Sequence, residues 1–148
     1  MSVGRICVRE VDLADADETI LQVASRMRDR GVGTLVILDA LKRPRGIITD
    51  RDLVERVLAE GRDPASTTVE EVMTRDPHTV SEGNSIESAL TLMRSGRFRR
   101  LPVVDGEEQL VGLLSVDDVL MLLAEEFTNV GRLLERETPS GLARENAR

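Results

Sequence analysis

The chain has 148 residues, 41% hydrophobic and 32% charged, a balance suited to one compact domain or two small halves sharing a core. Its only aromatic rings of the Phe, Tyr and Trp class are Phe98 and Phe127, so the core is expected from Val, Leu, Ile, Ala and Met, and any bound base is expected between aliphatic side chains. A net charge of −7 argues against nucleic acid and anionic membranes as partners, while a single cysteine, Cys7, and the absence of an apolar leader point to a reducing cytoplasm.

A short leading strand is expected near Val11 to Leu13. Ile20, Val23, Ala24 and Met27 then follow helical spacing, and that helix stops near Gly31. Leu35 to Asp39 is a strand-like apolar run, followed by a polar turn and a second strand, Gly46 to Thr49. A closing helix carries Leu53, Val54, Val57 and Leu58. Gly61 to Thr67 reads as a linker, and Thr68-Val69-Glu70-Glu71 as a capped helical turn. The order then recurs: a strand at His78 to Val80, a helix on Ile86, Ala89, Leu90 and Met93 ending near Gly96, strands at Leu101 to Asp105 and Gly112 to Ser115, and a helix carrying Val119, Leu120, Leu123 and Ala124.

A shift of 66 positions aligns the halves without a gap, Ile20 with Ile86, Met27 with Met93, Leu35 with Leu101, Asp39 with Asp105, Gly46 with Gly112 and Asp52 with Asp118. The expected fold class is α/β (α+β), two βαββα repeats related by a pseudo-two-fold axis. The expected bounds are 2–60 for the first repeat, 61–67 for the linker, 68–125 for the second repeat and 126–148 for a C-terminal helical extension and loose tail, with helix to about Glu137.

The segments Gly46-Ile47-Ile48-Thr49-Asp50-Arg51-Asp52 and Gly112-Leu113-Leu114-Ser115-Val116-Asp117-Asp118 carry the chemistry. Each places a hydroxyl at a helix start and an aspartate three positions later, which is the pattern of a capping box. The same geometry also serves a ligand, because a helix start offers free N–H groups to phosphate and a nearby carboxylate accepts ribose hydroxyls. Capping alone does not call for Arg51, a cation in the first helical turn, nor for the upstream glycine, although a turn or a tight packing contact there would.

These two segments, with Arg99-Arg100-Leu101-Pro102-Val103-Val104-Asp105 and Thr68-Val69-Glu70-Glu71-Val72-Met73-Thr74-Arg75-Asp76-Pro77, closely resemble a tandem pair of cystathionine-β-synthase (CBS) domains, a Bateman module. The resemblance runs from about Ser2 to Glu125. It implies a shared core with two clefts that take AMP, ADP, ATP, S-adenosylmethionine or related adenosyl ligands. By that resemblance Asp52 and Asp118 would hold ribose hydroxyls, and Thr49 and Ser115 would contact ribose or phosphate. Arg51 and Arg100, with Arg99, would meet phosphate, while the backbone at Leu13, Thr79, Val80, Gly33, Thr34 and Leu35 would read the adenine edge. It also implies homodimers formed through helices, with the faces Leu53 to Leu58 and Val119 to Leu123 as candidates.

The copies differ where the second has Val116-Asp117 in place of Asp50-Arg51. The first cleft is therefore expected to prefer phosphorylated nucleotide, and the more acidic second one suits a cationic ligand such as S-adenosylmethionine. Cys7 aligns with Met73 and reads as an apolar anchor. His78, the lone histidine, is a weak metal ligand and reads as a surface or strand residue. No Walker loop, nucleophile elbow or paired His or Cys motif is present, so the expected function is ligand sensing rather than catalysis, with the output passing to a separate, unidentified protein effector or to the C-terminal tail. The competing readings are a ligand-free dimerisation or docking module, a sensor of S-adenosylmethionine or NAD(H), and a nucleotide phosphate hydrolase drawing on Asp50, Asp52, Asp117 and Asp118.

Overall fold

A computed structural model describes residues 1–137, which fall into two units, residues 1–115 and the helix beginning at Val116. The first unit runs α1 (Val3–Ile6), α2 (Ile20–Arg30), β1 (Thr34–Leu38), β2 (Pro44–Thr49), α3 (Asp50–Asp52), α4 (Val69–Val72), β3 (Thr74–Arg75), β4 (Val80–Ser81), α5 (Ile86–Gly96), β5 (Arg100–Val104) and β6 (Leu110–Ser115). The second unit is α6 (Val116–Glu137). The loose tail expected after Glu137 lies outside the described residues.

Local chemistry fixes the helix ends. Thr19 and Gln22 form a reciprocal capping box at the start of α2, and Gly31 closes it in the left-handed conformation at φ 65°. The equivalent position after α5 is Arg97, left-handed at φ 57°. The glycine expected to stop that helix, Gly96, is instead its last residue, and a Cβ there would lie 2.0 Å from the Phe98 ring. Gly96 thus makes room for Phe98, and the left-handed role passes to an arginine.

Two three-stranded sheets form, ordered β1-β2-β3 and β4-β5-β6. In each a hairpin, β1 with β2 or β5 with β6, is antiparallel. The leading strand of the second copy pairs parallel with β5, Val80 with Val103 and Ser81 with Val104. Its counterpart in the first copy shrinks to a single bridge between Leu13 and Val36. The second copy makes one further ladder bond, from Glu82 N–H to the Val104 carbonyl at 2.9 Å. The helix expected after β2 also departs from regular geometry. Beyond α3 it continues as a π-helical stretch, Leu53–Leu58, with Ala59 N–H bonded to the Val54 carbonyl at 2.8 Å. Only Val57 of that stretch is buried, and Val54 and Leu58 are exposed.

The N-terminal segments of the copies are exchanged. β3, from the start of the second copy, completes the first sheet by pairing Gly46 with Arg75 and Ile47 with Thr74. The first copy answers with a bridge between Val8 and Leu113 on β6. Val69 and Glu70 N–H groups bond to the Glu18 and Ala16 carbonyls at 2.9 Å, while Val3 and Gly4 bond to those of Asn84 and Glu82 at 2.8 and 2.9 Å. The Ile47–Thr74 pairing and the Val69 and Glu70 bonds each have their mate 66 positions away, in Val8–Leu113 and in the Val3 and Gly4 bonds. The first core follows the exchange, since Ile20, Val23, Leu35, Ile37 and Ile48 are joined in one buried cluster by Val69, Val72 and Met73.

Gly46 and Gly112 are explained by this arrangement. A Cβ on Gly46 would sit 2.4 Å from Met73 Sδ, and one on Gly112 would sit 2.8 Å from Cys7 Sγ. Cys7 is buried in the apolar anchoring position that its alignment with Met73 implies. No helix among the described residues is long and apolar enough to cross a membrane.

Near the first exchanged contact, Glu18 accepts from Arg26 Nη1 at 3.0 Å and from Asp15 N–H at 2.8 Å. Hydrogen bonding from the Arg26 guanidinium holds the Glu18 carboxyl below its ordinary value. Gly46→Ala is expected to destabilise the protein by about 1–3 kcal/mol through overpacking against Met73, read as a lower midpoint in thermal unfolding followed by circular dichroism. A depressed carboxyl contributes stability above its unfolded value and loses it as pH falls through the folded one. Glu18→Gln should accordingly cost about 1–2 kcal/mol at neutral pH, and the gap to the wild type should close as the solution is acidified below pH ~4.

Candidate functional site

The end of β2, the first turn of α3, the segment Thr74–His78 and the turn from α5 into β5 enclose a cleft of about 710 Å3, a volume suited to a small organic ligand. Thr49, Arg51 and Asp52 stand on one wall, Arg97, Phe98, Arg99 and Arg100 on another. All of these residues belong to the first unit, and they come from both copies.

The Thr49–Asp52 wall is a complete capping box. Asp52 Oδ2 accepts from Thr49 N–H at 2.9 Å, and Thr49 Oγ1 accepts from Asp52 N–H at 3.3 Å. The Asp52 side chain is only 15% exposed, and its other oxygen lies 3.6 Å from Arg56 Nε. Arg56 is itself anchored by donating to the Val72 carbonyl at 2.7 Å. The carboxylate is therefore fixed in position at the helix start, with capping and cleft sharing the same atoms. Arg51 has a structural partner, since its Nε donates to Glu55 Oε1 at 2.7 Å, which raises the guanidinium above its ordinary value. With 81% of its side chain exposed, Arg51 is free to exchange that carboxylate for another anion at little cost.

The remaining cations divide by their partners. Arg75 lies 3.4 Å from Glu70, which Arg45 also holds, and hydrogen bonding from Arg45 keeps the Glu70 carboxyl below its ordinary value. Among the described residues, Arg97, Arg99 and Arg100 make no ion pair with a carboxylate. Three guanidinium groups thus face one cleft without neutralisation, an arrangement that attracts multiply charged anions. Beside them, His78 and Phe98 stack with ring centroids 4.8 Å apart. An aromatic pair therefore lines the cleft where the scarcity of aromatics suggested aliphatic walls alone.

Of the residues singled out from the sequence, the cleft gathers Thr49, Arg51, Asp52, Arg99 and Arg100. Thr79 lines a separate cleft of about 310 Å3 with Asp39, Arg43 and Glu108, and Val80 is buried in β4. Leu13 is half-exposed at its bridge, and Thr34 and Leu35 are buried in β1. The Gly33 carbonyl accepts from Asp50 N–H at 2.9 Å. Ser115 ends β6 and Asp118 lies in the first turn of α6. The cleft is also lined by Ile47, Thr74, Arg75, Asp76, Pro77, His78, Arg97 and Phe98. For Arg97 a signal existed, because it replaces Gly31 in the alignment of the copies. Among the described residues no group of three or more His, Cys, Asp or Glu assembles as a metal site.

The CBS domain family matches residues 3–59 and 69–125. The chain is 35% identical over 122 residues to an uncharacterized protein of Methanopyrus kandleri, covering 82% of this chain and 62% of that one. It also resembles the solved structure of a putative signal-transduction protein with CBS domains from Burkholderia ambifaria, at TM-score 0.76 and 29% identity over 83% of this chain and 93% of that one. The CBS domain pair of protein MJ0100, solved in complex with 5′-methylthioadenosine and S-adenosyl-L-methionine, matches at TM-score 0.76 and 25% identity over 85% of this chain and 98% of that one. Two repeats with exchanged leading segments, the first carrying a capped Thr-x-x-Asp turn, are thus a tandem CBS pair. The chain belongs to the CBS domain family.

Arg97→Gly separates conformation from charge at the cleft. Glycine adopts the left-handed conformation without the cost of a Cβ, on the order of 1 kcal/mol. The variant is expected to unfold at the wild-type midpoint or slightly above it, while its affinity for an anionic ligand falls several-fold in isothermal titration.

Proposed function

We propose that this CBS pair is a regulatory sensor that binds an adenine nucleotide, AMP, ADP or ATP, in the cleft lined by Thr49, Asp52, Arg99 and Arg100, and that it is not an enzyme. The observation that carries this reading is one cleft with a fixed ribose-type acceptor, Asp52, on one wall and, on the other, three guanidinium groups that make no ion pair with a carboxylate among the described residues. A carboxylate accepts paired hydroxyls, and guanidinium groups bind phosphate oxygens in bidentate fashion. Arg51 can leave the exposed Glu55 for a phosphate, and the His78–Phe98 pair offers an aromatic edge to a base. The same cations disfavour the sulfonium of S-adenosylmethionine in this cleft.

A second reading concerns the motif of the second copy. There Asp117 stands where the first copy has Arg51, so an adenosyl ligand bearing positive charge suits it better. The complex of MJ0100 with S-adenosyl-L-methionine supports that class of ligand. A ligand touching both copies can signal only through different affinities for their alternative arrangements, and that signal passes to a protein effector or to the C-terminal tail. A homodimeric, cytoplasmic state completes the reading.

Isothermal titration of AMP, ADP, ATP, NADH and S-adenosylmethionine into the protein tests it. At least one of AMP, ADP and ATP should bind with 1:1 or 2:1 stoichiometry, and Arg99→Ala with Arg100→Ala should weaken the strongest binder by about tenfold or more, as expected when charge-assisted bonds of 1.5–3 kcal/mol are lost. Asp52→Ala should remove most of the remaining affinity. Heat from none of the five ligands would refute the sensor and favour a protein-docking module.

A further inference from the structure

His78 is the only histidine of the chain, and imidazole is the side chain that ordinarily changes charge between pH 8 and 5. It stands on the wall of the cleft beside the arginines, exposed, with its ring stacked on Phe98 at 4.8 Å between centroids. No hydrogen bond holds its nitrogens among the described residues, so a bound anion can reach them. The fold itself does not call for this arrangement. At the positions 66 residues earlier the first copy has Asp12 for His78, Arg30 for Gly96 and Val32 for Phe98, and there Asp12 accepts from Arg30 Nε at 2.8 Å. Gly96 opens the space that the Phe98 ring fills, and Phe98 backs His78. The three residues thus form one set, present in the second copy alone.

We propose that His78 is a proton-linked contact for the anion in this cleft, so that acidification from pH 8 to pH 6 strengthens anion binding. The site then has a second input, the proton, which rests on the sensor reading only in that the cleft takes an anion. Charges on every wall set the sign. The turn from α5 into β5 brings Arg97, Arg99 and Arg100, the segment of His78 itself brings Arg75 and Asp76, and the opposite wall brings Arg51 and Asp52. Arg51 and Arg75 are paired with Glu55 and Glu70, and Asp52 accepts from Thr49 N–H. Without an anion, the three guanidinium groups that make no ion pair with a carboxylate among the described residues oppose a further positive charge. A bound dianion neutralises them and accepts from both N–H groups of an imidazolium, where a neutral ring has one to give. Phe98 then adds a cation–π contact to the charged ring. Proton and anion therefore each raise the affinity for the other.

Sulfate is the probe, because it stays a dianion across this range and carries no base. Titrated into the full chain without a histidine tag and followed by the NMR shifts of backbone amides, its dissociation constant should be about two- to fivefold smaller at pH 6 than at pH 8, the gain of one exposed charge pair. His78→Gln keeps a neutral donor at an exposed position, so it should bind sulfate as the wild type does at pH 8 and lose the pH dependence. Phe98→Leu should reduce that dependence. Equal wild-type constants at the two pH values overturn the proposal, as does a pH dependence that His78→Gln retains, or the absence of sulfate binding at pH 6. Sulfate contains no adenosine, so this result stands or falls apart from the heats of AMP, ADP and ATP, and failure of the proton link is distinguishable from failure of the sensor.

Discussion

The contact on which the first unit depends is the close approach of each copy's leading segment to a glycine of the other copy. Met73 presses on Gly46 and Cys7 on Gly112 so tightly that a single methyl group at either glycine would overlap sulfur. That approach allows β3 to pair with β2 and Val8 to bridge Leu113, and with it α4 delivers Val69 and Val72 into the first core. Each copy on its own would lack a sheet edge and part of its apolar filling. Up to residue 115 the two copies thus fold together, and their pseudo-two-fold relation is enforced by hydrogen bonds that recur at an offset of 66 residues.

This exchange also builds the cleft. Pairing of Ile47 with Thr74 brings the segment Thr74–His78 against the end of β2, just before the Thr49–Asp52 turn. The capping box, which is needed in any case to start α3, then faces a basic turn contributed by the other copy. Helix capping and ligand recognition draw on the same free N–H groups and the same carboxylate. The two explanations of the Thr-x-x-Asp motif are therefore compatible, and the capping half is what the hydrogen bonds record.

Much of this was readable in the sequence because repetition and hydrophobic period are local signals. The offset between copies, the hairpins at Leu35 and Leu101, the cap at Thr68 and the anchoring place of Cys7 follow from residue types at fixed spacings. The exchange was not readable, since nothing in the spacing of Val69 and Val72 says which copy they fill. Gly46 was noted as unexplained by capping, and only the position of Met73 supplies the reason. The π-helical stretch after Asp52 leaves apolar spacing intact while changing which residues face inward, so Val57 is buried where Val54 and Leu58 are not. Arg51 shows a limit of spacing arguments: its placement in a first helical turn says nothing of its pairing with Glu55 one turn on, which the structure records.

The asymmetry between the copies is where sequence and structure together say most. Gly31 and Arg97 occupy equivalent left-handed positions, and a chain free to choose would place glycine at both. Retaining arginine there costs conformational energy, yet it adds a cation to a cleft that already holds Arg99 and Arg100. An acid, Asp117, stands on the second copy where Arg51 stands on the first. These changes act in one sense, concentrating positive charge at one of two otherwise matched positions. A ligand spanning Asp52 and those arginines would link residues from both copies, so its binding energy would favour whichever arrangement of the copies brings them within reach. Near-symmetric folding with asymmetric charge thus gives the pair one polarised cleft, at which a bound anion would touch both copies at once.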